Sequence, residues 1–244
     1  MPGRIEIYLD VGNYIAFKQV IDTWSTLEAH GVEIDIKPVL LGAINAATGN
    51  KPPFSVPAKG KYGIYDGDRS QKAAGLPEIT FPDDLIAISR TQIPLRALHY
   101  VKATYPRETY LTTWHYLLHA LWSPEKQNIS DAGVLAKVLA AAPKGFRGPG
   151  SVNAQEGGHR LFSESEVAAI MKAASEEQWK DALKQSVEEA LKRGAFGAPW
   201  LWVTNDKGHG EPFFGSDRWH FVYEFLGLPH QKLKLLGPEG GAKL

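Results

Sequence analysis

The sequence predicts an α/β fold in which strand-bearing segments at the two ends of the chain enclose a long helical block. Three observations carry that prediction. Residues 4–41 read strand, helix, strand, which is a βαβ crossover and therefore a parallel strand pair. Residues from about 91 to 142 and from 163 to 193 repeat apolar side chains at helical spacing and show no clear strand. From Leu201 onward strand signals return, followed by a last helix. The composition over 244 residues, 43% hydrophobic and 22% charged, is that of one large or two small folded domains, and neither disorder nor a fibrous repeat fits it.

Arg4 to Val11 alternates apolar and polar, placing Ile5, Ile7 and Leu9 on one face, and stops at Gly12 and Asn13. From Tyr14 to His30, Ile15, Phe17, Val20, Ile21, Trp24 and Leu27 recur three and four apart, and Gly31 sits where a helix C-cap glycine belongs. Val32 to Leu41 alternates again through Ile34 and Ile36. The Gly/Asn/Pro-rich stretch GNKPPFSVPAKGKYG, residues 49–63, reads as a loop. Within the helical block, Ser163 with Glu166 and Ser175 with Gln178 have capping-box spacing. Trp179, Ala182, Leu183, Val187, Ala190 and Leu191 form one stripe, with Glu188–Lys192 and Glu189–Arg193 pairs on the wet side. The 20 residues 143–162 hold five glycines, and so long a loop in a compact domain tends to be functional or mobile. Strands follow at Leu201–Thr204 and Pro212–Phe214 around a turn at Asn205–Gly210, and the last helix is expected from Ser216 to about Leu226.

The chain has no cysteine, which excludes disulfides, thiolate metal sites, a cysteine nucleophile and a Cys-x-x-Cys motif. Any thiol chemistry must use a thiol brought by a substrate. Lys plus Arg equals Asp plus Glu at 27 each, so no net field gathers nucleic acid or an anionic membrane, and neither is expected as a partner. No signal-peptide run and no spanning apolar stretch is present, so an intracellular protein is expected. The ending Ala242-Lys243-Leu244 is a small-basic-Leu tripeptide like the Ser-Lys-Leu address, which points to the peroxisome and otherwise to the cytoplasm. His115 and His119 stand i, i+4, but Tyr116, Leu117 and Leu118 between them lack the Glu of a zinc-protease helix; packing in an aromatic core, with no metal, is expected.

Three local features carry chemistry, and each also has a purely structural reading. Pro199 enters a strand without an N–H for the ladder, so Ala198-Pro199 is either an ordinary trans edge proline or a cis bond that turns the backbone of Ala198 outward to pair with an extended peptide. Gly215-Ser216-Asp217-Arg218 opens the last helix and suits an amino-acid head group, its carboxylate on free N–H groups and its ammonium on Asp217, or is plain helix capping. Gly12-Asn13-Tyr14 lies at the carboxyl end of the first strand and at a helix N-terminus, where an anion such as a thiolate is stabilised, or is only a turn.

Two segments go further. IKPVLLGAINAATGNKPPFSVPAKGKYG, residues 36–63, resembles the second strand and following loop of kappa-class glutathione transferases, with their Leu-Leu, Gly-Asn-x-Pro-Pro, Val-Pro and Lys-Gly-x-Tyr landmarks. GAFGAPWLWV followed by FFGSDRWHFVYEFLG resembles that family's cis-proline strand and last helix, whereas the helical middle matches weakly. The resemblance implies a thioredoxin-like fold interrupted by an all-helical insertion, with residues 1–60 and 194–244 forming the glutathione-binding domain and 61–193 the insertion. It implies a homodimer with glutathione across the cleft between the domains. Asn50 and Lys59 would contact the peptide, Ala198 beside Pro199 would pair with the cysteinyl unit, and Ser216 with Asp217 would hold the γ-glutamyl end.

One departure bears on activity. The family's first turn resembles Asp-Val-x-Ser-Pro-Tyr, whose serine hydroxyl hydrogen-bonds the glutathione sulfur, whereas this chain reads Asp10-Val11-Gly12-Asn13-Tyr14. Ungapped, Asn13 takes the serine position; aligned on the aromatic residues, the serine is deleted. Thiolate stabilisation then falls to the Asn13 amide, the Tyr14 phenol and the helix N-terminus. The function implied is a kappa-class glutathione transferase directing the thiolate at a small electrophile. The alternatives are an isomerase of the 2-hydroxychromene-2-carboxylate type and a glutathione-binding protein without transferase chemistry.

Overall fold

The computed structural model of the protein describes residues 3–76, 79–80, 88–148, 159–232 and 235. In chain order these contain β1 (Arg4–Leu9), α1 (Tyr14–Ala29), β2 (Glu33–Pro38), α2 (Leu41–Thr48), a 3-10 turn (Pro53–Ser55), α3 (Pro57–Ala73), α4 (Gln92–Thr104) and α5 (Arg107–Trp122). They continue with α6 (Ala132–Ala141), α7 (Glu164–Ala173), α8 (Glu177–Lys192), β3 (Trp200–Thr204), β4 (Gly210–Phe214) and α9 (Trp219–Phe225). The Ala242-Lys243-Leu244 ending and the centre of the glycine-rich loop lie outside the described residues. Among the described residues no helix is long and apolar enough to cross a membrane.

The sheet order is β2-β1-β3-β4. β1 and β2 are parallel, with Ile5 opposite Ile34, because the α1 crossover returns the chain in the same direction. β3 runs antiparallel to β1 and closes a hairpin with β4. Asn205 makes the hairpin turn: its Oδ1 accepts the N–H groups of Lys207 (3.0 Å) and His209 (3.1 Å). Gly31 ends α1 at φ +77, as its position predicts.

Helices cover both faces of the sheet. Ile5, Ile7 and Leu9 pack on Phe17, Val20 and Trp24 of α1 and on Trp114 of α5, while Tyr8 and Trp200 pack on the far side against Ile44 of α2 and Val187 and Ala190 of α8. The polar half of the β1 alternation is therefore also interior. Glu6, 5% exposed, is held by Lys37 Nζ at 2.7 Å and Arg193 at 2.6 Å, and Glu189 takes Lys37 at 2.7 Å. Glu189 and Arg193 thus form the expected i, i+4 pair, but they turn it inward to neutralise Glu6. On the outer edge of β2, Tyr110 (2.9 Å) and Lys102 (2.8 Å) donate to the Ile36 carbonyl, and His99 bonds the Pro38 carbonyl at 3.0 Å. The strand's open edge is sealed by the inserted helices.

Three boundaries differ from the sequence reading. Residues 49–63 are not one loop: the chain makes a 3-10 turn and starts α3 with Pro57 at its first helical position, where a missing N–H costs nothing. The Ser163–Glu166 capping box forms, but the Ser175–Gln178 one does not, because the Ser175 hydroxyl donates backward to the Lys172 carbonyl at 2.6 Å and α8 starts at Glu177. The last helix starts at Trp219 rather than Ser216, since Gly215 at φ +96 turns the chain and helical dihedrals begin only after Arg218.

Candidate functional site

The carboxyl end of β1, the head of α1 and the start of β3 meet at one cleft. Its lining residues include Gly12, Asn13, Tyr14, Ile15, Trp122 and Pro199, together with Ser216, and its volume is about 190 Å³. The Ala198–Pro199 bond is cis, not the ordinary trans edge proline.

Asn13 joins the two halves of this site. Its Oδ1 accepts the Asp10 N–H at 2.9 Å, closing the turn locally, and its Nδ2 donates to the Ala198 carbonyl at 3.1 Å, 185 residues away in sequence. Asn13 makes no side-chain bond to the helix it precedes, so the residue serves the turn and the proline loop rather than α1. The loop is pinned twice more: Asn50 Nδ2 donates to the Phe196 carbonyl at 2.7 Å, and the Gly215 N–H donates to the Pro199 carbonyl at 3.3 Å. Every carbonyl named is thus satisfied, while the Ala198 N–H has no partner among the described residues.

Tyr14 is 2% exposed and its hydroxyl has no hydrogen-bond partner among the described residues. Burial pushes its phenol far above the ordinary tyrosine value, so it stays protonated and acts only as a neutral donor or acceptor. Behind it, His115 packs among the rings of Tyr14, Phe17 and Phe146, as expected for a core histidine. Burial, with Lys18, His119 and Arg147 nearby, lowers the His115 pKa to about 4, so the ring is neutral. Asp10 lies under the turn, 4% exposed, and its Oδ2 accepts the Leu41 N–H at 2.8 Å and the Thr91 hydroxyl at 3.1 Å.

The remaining predicted residues fall in two groups. Ser216 lines the cleft and is half-buried, whereas Asp217 is exposed and pairs with Arg218. Neither sits in a helix, so the N-terminal N–H groups of α9 are not what these two residues present. Lys59 lies exposed on the first turn of α3 and, like Asn50, does not line the cleft; Asn50 instead reaches it through the proline loop. Sequence reasoning missed Asp10, whose only signal was a polar residue at a strand's carboxyl end, and Trp122, which bonds the Val11 carbonyl through Nε1 at 3.0 Å and forms part of the cleft wall. Beside Gly197 in the proline loop, Phe196 and Phe214 form an exposed aromatic rim, ring centroids 4.6 Å apart and each more than 40% exposed, which does not line the cleft itself.

No family model matches the chain. The curated relative glutathione S-transferase kappa 1 of Caenorhabditis elegans is 28% identical over 235 residues, covering 93% of this chain and 92% of its own length. Among solved structures, a 2-hydroxychromene-2-carboxylate isomerase superposes with a TM-score of 0.63 at 15% identity, covering 92% of this chain and 94% of that one. A probable DsbA oxidoreductase from Streptomyces coelicolor does so with a TM-score of 0.61 at 16% identity, covering 98% and 97%. The similarity to kappa-class glutathione transferases and the α/β, thioredoxin-like fold with its helical insertion are both borne out.

Proposed function

We propose that the chain is a glutathione-dependent transferase that binds the tripeptide along the Ala198–Pro199 loop and presents its thiolate, at the head of α1, to a small electrophile. The observation that carries this reading is the unpartnered Ala198 N–H beside a cis proline, in a loop whose Phe196, Ala198 and Pro199 carbonyls are fixed and which faces a helix N-terminus. A cysteinyl unit paired there puts its sulfur at the positive end of α1, where an anion is favoured. Ser216 stands at the opposite lip for the γ-glutamyl group, with Asp217 beside it. Asn50 acts through the loop it pins, and Lys59 offers its ammonium to the glycyl carboxylate from α3.

A free thiol of pKa about 8.5 is only a few per cent ionised at pH 7, so useful activation needs a shift of a unit or more, about 1.4 kcal/mol. No serine hydroxyl supplies it here. Asn13 retains one N–H after its bond to Ala198, whereas the Tyr14 phenol, though unpartnered, is buried behind the cleft wall. The ultraviolet thiolate absorbance of bound glutathione against pH tests the reading. A bound pKa below that of the free peptide, with conjugation of a model electrophile, supports it. An unshifted pKa favours instead the reading as a glutathione-binding protein without transferase chemistry, which the engagement of both polar atoms of Asn13 motivates.

The division into residues 1–60 with 194–244 and an insertion of 61–193 belongs to the same proposal, as does a homodimer. Supporting the dimer, α3 buries only Gln71 and leaves Tyr62, Ile64 and Tyr65 58–69% exposed, an apolar face that a second copy would cover. Sedimentation of the purified protein checks it.

A further inference from the structure

Among the described residues, Asp10 is the one acidic side chain that the fold buries beneath the cleft, and nothing in the proposed thiol chemistry has yet used it. Its Oδ2 caps the first residue of α2 through the Leu41 N–H at 2.8 Å and takes the hydroxyl of Thr91, the residue preceding α4, at 3.1 Å. Its own backbone opens the turn into α1 and holds Asn13, and the N–H groups of Val11 and Gly12 act on the carboxylate from that side. The N-termini of three helices therefore converge on one carboxyl group. Asp10 forms no ion pair among the described residues, and its Oδ1 has no partner although the side chain is 4% exposed. Of the elements packed on it, β1, α1, α2 and α4, the strongest influences are burial itself and these neutral donors rather than any charged side chain.

Two anions cannot share this field cheaply. An ionised Asp10 draws on the N–H groups of Val11 and Gly12 in the turn that leads into α1, beside the place a thiolate at the head of α1 would occupy, and each negative charge raises the cost of the other in a poorly solvated region. Such coupling is reciprocal.

Resting on the glutathione reading above, we propose that Asp10 is the proton store of the cleft: the site carries a single negative charge, on Asp10 when empty and on sulfur when glutathione is bound. On binding, the S–H bond breaks, the sulfur keeps the electron pair, and the proton, carried by water, forms an O–H bond on Asp10; no oxidant or further reactant is needed. Asp10 does not touch the ligand. It is a positioning residue that acts through the field of the α1 turn. Burial, which pushes its carboxyl up to about 6, places the group within reach of this exchange near neutral pH.

The test counts protons. Calorimetric titration with glutathione at pH 7, in buffers of different ionisation enthalpy, gives the protons released per peptide bound. The wild type is expected to release close to none, because Asp10 takes up what the thiol loses, whereas Asp10→Asn, which keeps an oxygen for Leu41 and Thr91, is expected to release toward about one. Thr91→Val serves as a second variant should Asp10→Asn fail to fold: the hydroxyl holds the Asp10 pKa down, so without it a larger share of Asp10 is protonated when empty, and proton release rises as well. S-methylglutathione, which has no thiol, should exchange no protons with any variant. Equal proton release by wild type and variants overturns the proposal for Asp10 alone. Absence of binding heat in all of them overturns the glutathione reading beneath it.

Discussion

Replacing Asn13 by alanine isolates the link on which the cleft's shape depends. The substitution removes two hydrogen bonds, Asp10 N–H to Oδ1 at 2.9 Å and Nδ2 to the Ala198 carbonyl at 3.1 Å. It also leaves the Asp10 N–H, buried at the end of β1, without a partner. Each bond contributes about 1 kcal/mol net, and an orphaned buried donor costs about 1–3 kcal/mol, so a loss of about 2–4 kcal/mol is expected. No helix-cap term enters, because the Asn13 side chain makes no bond to α1. Denaturant unfolding followed by tryptophan fluorescence measures the difference, with Asn13→Asp as the companion: it keeps the acceptor for Asp10 but loses the donor to Ala198, and should recover about half of the loss. If Asn13→Ala unfolds within about 0.5 kcal/mol of the wild type, the two bonds do not hold the turn to the proline loop, and the reasoning fails.

Other outcomes follow from the same structure. Because the folded pKa of Asp10 is raised to about 6, the folded state holds this proton where the unfolded state has lost it. Its contribution is therefore full below about pH 4 and is lost as pH rises to 6, about 3 kcal/mol against this one group, and Asp10→Asn should flatten that slope in denaturation curves. Glu6→Gln leaves Lys37 and Arg193 sharing Glu189 alone, so a loss of about 2–4 kcal/mol is expected in thermal unfolding; an unchanged midpoint contradicts the inward network. A Cβ at Gly197 would lie 3.0 Å from the Phe214 ring, so Gly197→Ala should displace the aromatic rim and weaken glutathione binding more than it weakens the fold. Binding unchanged by that variant separates the rim from the site.

Elements governed by local rules were legible in the sequence. The βαβ start, the Gly31 cap, the Ser163–Glu166 box and the hairpin at Asn205 each follow from residues within a few positions of one another. The stretch 49–63 was not, because Gly49, Gly60 and Gly63 with three prolines outweigh any helical period, and only Pro57 at a first helical turn marks α3. The start of α9 was misplaced for a similarly small reason, the left-handed turn at Gly215. At the site, local features singled out Asn13, Tyr14, Pro199 and Ser216 separately, the family resemblance implied one shared cleft, and the structure lines one cleft with all of them. What stayed hidden is long-range: Asp10 meets Leu41 and Thr91 across 31 and 81 residues, and Asn13 meets Ala198 across 185. Strand alternation likewise conceals that Glu6 is interior, since its partners come from β2 and α8.

The central claim is that a peptide thiol occupies the space between the head of α1 and the cis-proline loop. A crystal structure of the protein grown with glutathione addresses it most directly. The account predicts the cysteinyl carbonyl on the Ala198 N–H and the sulfur facing the head of α1 and the free N–H of Asn13. Glutathione bound elsewhere, or a cleft left empty at saturating peptide, contradicts it.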